Sequence, residues 1–146
     1  MKISVGTDHR GIEQKRMVKV IATELGHEVI DHGTNSTESC DYPDIAQDVG
    51  QSVTKSESDR GILICGTGIG MSIAANKVIG VRAAVCDSVD KATLSRQHND
   101  ANVLCIPGDS FDESIVREII SAWLTTEFEG GRHARRVDKI RSMEAG

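Results

Sequence analysis

The chain has 146 residues, enough for one domain that buries about two-thirds of its unfolded surface, with 38% hydrophobic and 27% charged residues. A net charge of −5 and a pI near 5.5 argue against a nucleic-acid or membrane-surface binder, and no segment has the apolar length of a transmembrane helix. The first residues run straight into a strand pattern without signal-peptide features, and Cys40, Cys65, Cys86 and Cys105 show no Cys-x-x-Cys pair or disulfide-framework spacing, so a cytoplasmic protein with reduced thiols is expected.

Residues 2–6 read as a first strand, with Ile3 and Val5 as its branched side chains, followed by a polar turn, Thr7-Asp8-His9-Arg10-Gly11. A helix spans about 12–25, carrying Val18, Ile21 and Leu25 at three- and four-residue spacing, and Gly26 suits its C-terminal cap. Residues 28–31 make a brief second strand, and 32–40 a polar loop. Pro43 is well placed near the start of the next helix, where its missing N–H would be unpaired anyway; Ile45, Val49 and Val53 form that helix's buried stripe. A third strand at 61–64 ends at Cys65, a loop covers 66–70, and a helix begins at about Ser72. Residues 81–86 make a fourth strand, Ser88 caps a helix over about 89–98, and 102–106 make a fifth strand closed by Pro107-Gly108. Ile115, Ile119 and Trp123, beside Val116, Ile120 and Leu124, mark a wide apolar helix face; after Gly130-Gly131 comes a basic helix over about 132–143.

Five short apolar runs alternating with helical patterns imply repeated β-α-β units. The expectation is a single α/β domain, a three-layer α/β/α Rossmann-like sandwich with a five-stranded parallel sheet and an extra C-terminal helix. In such sheets ligands bind beyond the carboxyl ends of the strands. Asp8 and His9 follow the first strand, Cys65 to Gly70 the third and Asp87 the fourth, so these polar residues are expected at one edge.

The stretch Cys65-Gly66-Thr67-Gly68-Ile69-Gly70 puts a thiol beside a glycine-rich loop and a helix N-terminus, a combination that binds anions and favours a thiolate. A Walker A loop needs Gly-Lys-Ser/Thr at its end, and Gly70 is followed by Met71-Ser72. A dinucleotide fingerprint would use Gly66, Gly68 and Asp87, but Met71 occupies its third glycine position and the motif follows the third strand. A thiol phosphatase needs an arginine where Met71 stands. What remains is an anion-stabilising loop beside a thiol, or, on a purely structural reading, a strand-to-helix turn with glycines for tight packing. Cys86 and Cys105 end apolar runs and read as small buried hydrophobes, and Cys40 carries no signal.

Asp8-His9 and His98-Asn99-Asp100 read equally as helix-end residues. No recognised metal-ligand spacing occurs. Arg132 and Arg136, four apart on one helix face, make a workable phosphate clamp or part of a solvated face.

Several motifs together identify a family. Gly6-Thr-Asp-His-Arg-Gly11, Asp41-Tyr42-Pro43, the whole of 61–77, Ser95-Arg-Gln-His-Asn-Asp100 and Glu129-Gly-Gly-Arg-His-Ala-Arg-Arg136 occur in order along the full length. The chain thus resembles the ribose-5-phosphate isomerase type B family, which also includes galactose-6-phosphate isomerase subunits. The resemblance implies aldose–ketose isomerisation of ribose 5-phosphate and ribulose 5-phosphate through an enediolate, with no metal or nucleotide cofactor. The alternatives are another aldose phosphate, such as a galactose or allose 6-phosphate or a tetrose phosphate, or a non-catalytic sugar-phosphate or nucleotide binding module. It implies Cys65 as base, with His98 (ring opening) and Thr67 as further catalytic residues. Asp8 and Tyr42 would hold hydroxyls, Gly66, Gly68, Ile69 and Gly70 the oxyanion, Asn99 the substrate, and His9, Arg132 and Arg136 the phosphate. It also implies a homodimer or tetramer with the site between subunits. One position departs: the family often has a basic phosphate contact shortly after the fifth strand, where this chain has Asp109. Asp109 either points away or marks a different substrate, and Arg10 is a candidate for the lost positive charge.

Overall fold

The computed structural model describes residues 1–109 and 112–145; Ser110, beside Asp109, lies outside them. The elements follow one another as β1 (Lys2–Thr7), α1 (Ile12–Glu24), β2 (Glu28–Asp31), α2 (Tyr42–Thr54), β3 (Arg60–Cys65), α3 (Ile69–Ala75), β4 (Ala83–Val85), α4 (Val89–Asn99), β5 (Val103–Pro107), α5 (Glu113–Thr125) and α6 (Arg132–Ser142), with a final 3₁₀ turn, Met143–Ala145. All strand pairs are parallel and the order is β2-β1-β3-β5-β4. This is the expected α/β Rossmann-like fold.

The apolar run of β3 is continuous because helices cover both faces of the sheet. Ile62 and Ile64 pack with Val18, Ile21, Ala92, Ile119, Ile120 and Trp123, so α1, α4 and α5 lie on one side. Leu63 and Cys65 pack with Ala46, Val49, Val53, Met71 and Ala75, which puts α2 and α3 on the other. Strand alternation therefore decides that the Cys65 side chain faces α2 and α3. Met71 is fully buried in that second core, so the position where a phosphatase would need its arginine points inward.

Pairing registers bring the ends of three strands level. Thr7 lies opposite Ile64, and Cys65 opposite Pro107. The chain leaves β1 toward β2 and returns across it to β3, which makes the β1/β3 boundary the topological switch point where such sheets bind ligands. Three boundaries differ from expectation. Helix α3 begins at Ile69, so Gly70 belongs to its first turn and the loop is shorter. Strand β4 has three residues, because Arg82 before it is tied instead to Asn102, whose side-chain carbonyl accepts from the Arg82 N–H at 2.7 Å. Strand β5, inserted between β3 and β4, extends to Pro107. Among the described residues no helix is long and apolar enough to cross a membrane.

Candidate active site

Beyond the ends of β1 and β3 a cavity of about 240 Å³ is lined by Asp8, Arg10, Tyr42, Cys65, Gly66, Thr67 and Gly70. The larger hollow between α2 and α3 holds neither a thiol nor an imidazole. Cys65 is buried at the cavity floor. The backbone then turns sharply: Gly68 caps α3 with φ +79°, and a Cβ there would also meet the backbone of Ile106 and Pro107 at 3.3 Å. A Cβ on Gly70 would lie 2.7 Å from the Tyr42 ring and one on Gly66 2.8 Å from Asp109 Oδ2, so either would displace a side chain at the site. The packing reading of these glycines thus holds beside the anion-binding one. The N–H groups of Gly66, Thr67, Gly68 and Gly70 have no acceptor among the described residues. The Ile69 N–H donates to Thr67 Oγ1 at 3.2 Å, which fixes the exposed Thr67 hydroxyl at the start of the helix.

Asp8 lines this cavity from the end of β1, whereas His9, next to it, is not among the lining residues. Asp8 is buried, and its Oδ1 accepts the Arg10 N–H at 3.0 Å, which orients the carboxylate. His9 Nδ1 accepts the Cys40 N–H at 3.3 Å, so the neutral ring carries its proton on Nε2. The loop that supplies this N–H is anchored by Lys15, 3% exposed, whose Nζ donates to Asp31 Oδ1 at 2.8 Å, to the Thr34 carbonyl at 2.9 Å and to Asn35 Oδ1 at 2.6 Å. Asp87 does not join this group. It is exposed, its Oδ1 accepts from Lys91 at 2.9 Å, and it lines a separate hollow with Cys86 and Asp112. The strand order explains this, for β5 separates β4 from β3. Burial pushes the Cys86 and Cys105 thiols up, in keeping with inert side chains.

His98, Asn99, Arg132 and Arg136 are elsewhere in the same chain. Helix α4 starts beyond the carboxyl end of β4 and runs back along the sheet, so its last residues reach the opposite edge. There the Asn99 and Asp100 carbonyls accept from Arg82 Nε at 3.2 and 3.0 Å, just before β4 begins. A strand's length, about 16 Å from the start of β3 to Cys65, separates the two edges. The His98 and His133 rings stack with centroids 4.2 Å apart and 12° between planes, which joins α4 to α6. Arg132 and Arg136 are exposed on the first turns of α6 and have no carboxylate within 4.0 Å among the described residues. Burial, with His98 and then Arg132 beside it, holds the His133 pKa below the usual imidazole value. The sequence reading passed over His133 as a functional residue; its one local signal was Glu129, four residues away. His98, Glu129 and His133 bring ligating atoms within 4.8 Å of one another. Imidazole lone pairs lie in the ring plane, so two near-parallel rings do not aim at one ion, and the trio suits stacking better than chelation.

The expected residues thus lie in two groups at opposite edges of the sheet: the Cys65 thiol, the Asp8 carboxylate and the loop amides at one, and His98 with the Arg132 and Arg136 guanidinium groups at the other. A model of the ribose/galactose isomerase family matches residues 3–140. The chain belongs to that family. Ribose-5-phosphate isomerase B of Escherichia coli (strain K12) is 48% identical over 143 residues, covering 98% of this chain and 96% of that one. A solved structure of Clostridium thermocellum ribose-5-phosphate isomerase B superposes with a TM-score of 0.97 at 50% identity, covering 99% and 98% of the two chains. A ribose/galactose isomerase relative of different name, D-erythrulose-4-phosphate isomerase of Pectobacterium atrosepticum, is 39% identical over 96% of this chain and 93% of its own.

Proposed function

We propose that the chain interconverts ribose 5-phosphate and ribulose 5-phosphate through an enediolate, with Cys65 as the base. The Cys65 thiolate takes the proton from C2 of the open-chain aldose and returns it to C1. Negative charge developing on the substrate oxygen falls to the amides of Gly66, Thr67, Gly68 and Gly70, the Ile69 amide being taken up by Thr67; comparable donors in other enzymes are worth about 3–4 kcal/mol. Asp8 and Tyr42 hold hydroxyls, and Thr67, whose hydroxyl stands exposed at the cavity, is a further catalytic residue. His98 donates a proton to the ring oxygen to open the cyclic form, Asn99 contacts the sugar, and His9, Arg132 and Arg136 take the phosphate. Because the two half-sites of one chain lie a strand's length apart, each working site combines Cys65 of one subunit with His98, Asn99, Arg132 and Arg136 of a second copy.

The observation that carries the reading is a thiol at the floor of a cavity beside amides with no acceptor among the described residues, in a chain of this family. A second reading, a four-carbon aldose phosphate as substrate, is favoured by the D-erythrulose-4-phosphate isomerase relative. The test is a cofactor-free isomerase assay over four-, five- and six-carbon sugar phosphates. Ribose 5-phosphate is expected to give the highest kcat/KM, and Cys65→Ala is expected to abolish exchange of the C2 proton with solvent. Full exchange in Cys65→Ala would rule out the thiol as base.

A further inference from the structure

We propose that Arg10, held above Gly66 by Asp109, is a substrate-phosphate contact of this cavity, so that two residues together stand in for one cation after β5. The inference rests on the sugar-phosphate isomerase reading above.

Asp109 is not among the residues that line the cavity, but it is paired with one that is. Arg10 Nη2 donates to both its oxygens, at 3.1 and 3.3 Å. The pair spans the cleft across β3, since Arg10 comes from the turn after β1 and Asp109 from the turn after β5, and these strands flank β3 on either side. Each end is fixed through its backbone. The Arg10 N–H donates to Asp8 Oδ1 at 3.0 Å, and the Asp109 N–H donates to the Gly66 carbonyl at 3.0 Å. The guanidinium lies directly over the loop, with Nη1 3.1 Å from where a Gly66 Cβ would be, so a side chain at 66 would evict it.

Arg10 is the one cation among the described residues that line the cavity. Only its Nη2 is engaged by Asp109; its Nη1 and Nε have no acceptor among the described residues. A planar guanidinium with one edge occupied and other donors open is suited to a second anion. The ion pair itself is weak, because both side chains are more than half exposed, at 58% and 51%. A phosphate dianion therefore competes well for Arg10, while Asp109 sets its direction and adds some repulsion. Asp109 is accordingly a positioning residue, one whose charge works against the anion that its partner binds.

The test uses the full chain, with kcat and KM for the preferred sugar phosphate and the Ki of inorganic phosphate as competitive inhibitor. Arg10→Ala is expected to raise KM and the phosphate Ki about tenfold, with kcat falling less than threefold. Arg10→Lys should recover part of the loss, as it keeps the charge without the fork. Asp109→Asn keeps a carbonyl to hold Nη2 and removes the negative charge, so KM and Ki are expected to fall about two- to fivefold. An unchanged KM and Ki in Arg10→Ala overturns the contact. An unchanged or raised Ki in Asp109→Asn overturns the role given to Asp109. A wild-type chain inactive on every sugar phosphate would instead sink the isomerase reading, and the Kd of inorganic phosphate for wild type and Arg10→Ala, measured by titration calorimetry, would still decide the Arg10 contact.

Discussion

Gly70 and Tyr42 meet at a distance that leaves no room for a methyl group. A Cβ on Gly70 would lie 2.7 Å from Tyr42 Cζ and 2.9 Å from its Oη, below any ordinary contact. The backbone at Gly70 is helical, so alanine there meets no conformational barrier and would favour α3 by up to about 1 kcal/mol. The Tyr42 ring is partly exposed and free to move aside. Stability and activity should therefore part company in Gly70→Ala: thermal unfolding unchanged or slightly raised, kcat/KM lowered about tenfold or more. A Tm drop of several degrees with normal kcat/KM would show that the contact matters to packing alone. Comparing Tyr42→Phe separates loss of the ring position from loss of the hydroxyl. Of this residue-scale detail, the glycine pattern and the thiol were legible in the sequence. The Tyr42–Gly70 contact was not, because it joins elements 28 positions apart through the fold alone.

At the scale of elements, apolar runs marked strands such as β3 and β5, which are covered on both faces, and apolar stripes marked α1, α2 and α5, while α4 was marked by its Ser88 cap. The start of α3 escaped that reading because Gly68 caps it in a left-handed conformation and Ile69 is exposed, so its first turn shows no inward stripe. Lys15 escaped it for the opposite reason. A lysine within a helical pattern reads as solvated, yet this one is buried against Asp31, Thr34 and Asn35 and ties α1 to the loop after β2. That anchor has a pH signature. Burial alone would raise the Asp31 pKa, but hydrogen bonds from Lys15, Lys19 and the Gly33 N–H outweigh it and bring it to about 2, against an ordinary 3.8. A carboxylate with a depressed folded-state pKa stabilises the fold above its unfolded value, and that contribution is lost as pH falls from about 4 through 2. Urea unfolding of wild type and Asp31→Asn should thus differ by about 1–2 kcal/mol at pH 7 after allowance for solvent screening, with the gap shrinking steadily below pH 4 and closing only below about pH 2. A gap that persists unchanged at pH 2.5 would mean that shape, not charge, holds the loop.

For the molecule as a whole, two half-sites at opposite edges of one sheet make a single copy chemically incomplete under the proposed mechanism. The surface beside the thiol fits this view, since Ile69 and Ile73, one helical turn apart on α3, are 55% and 60% exposed, and Tyr42 lies at the cavity mouth. At the other edge Ile140 and Met143 are exposed on and after α6. A closed two-fold pairing that sets the α3 edge of one copy against the α6 edge of the next repeats each contact twice, and so forms two sites per dimer. Hybrid complementation follows from that symmetry. Cys65→Ala leaves the imidazole half intact, His98→Asn leaves the thiol half intact, and each variant alone should be inactive on cyclic substrate. If the two are unfolded together, mixed in equal amounts and refolded, about half of the dimers are hybrids, each with one site built from the two unmutated halves and one site carrying both substitutions. Recovery of about a quarter of wild-type activity is therefore expected. No recovery, with hybrids demonstrated by mass spectrometry, would mean that each site is assembled within one chain and that the distance between its halves is closed by motion of α4 and α6.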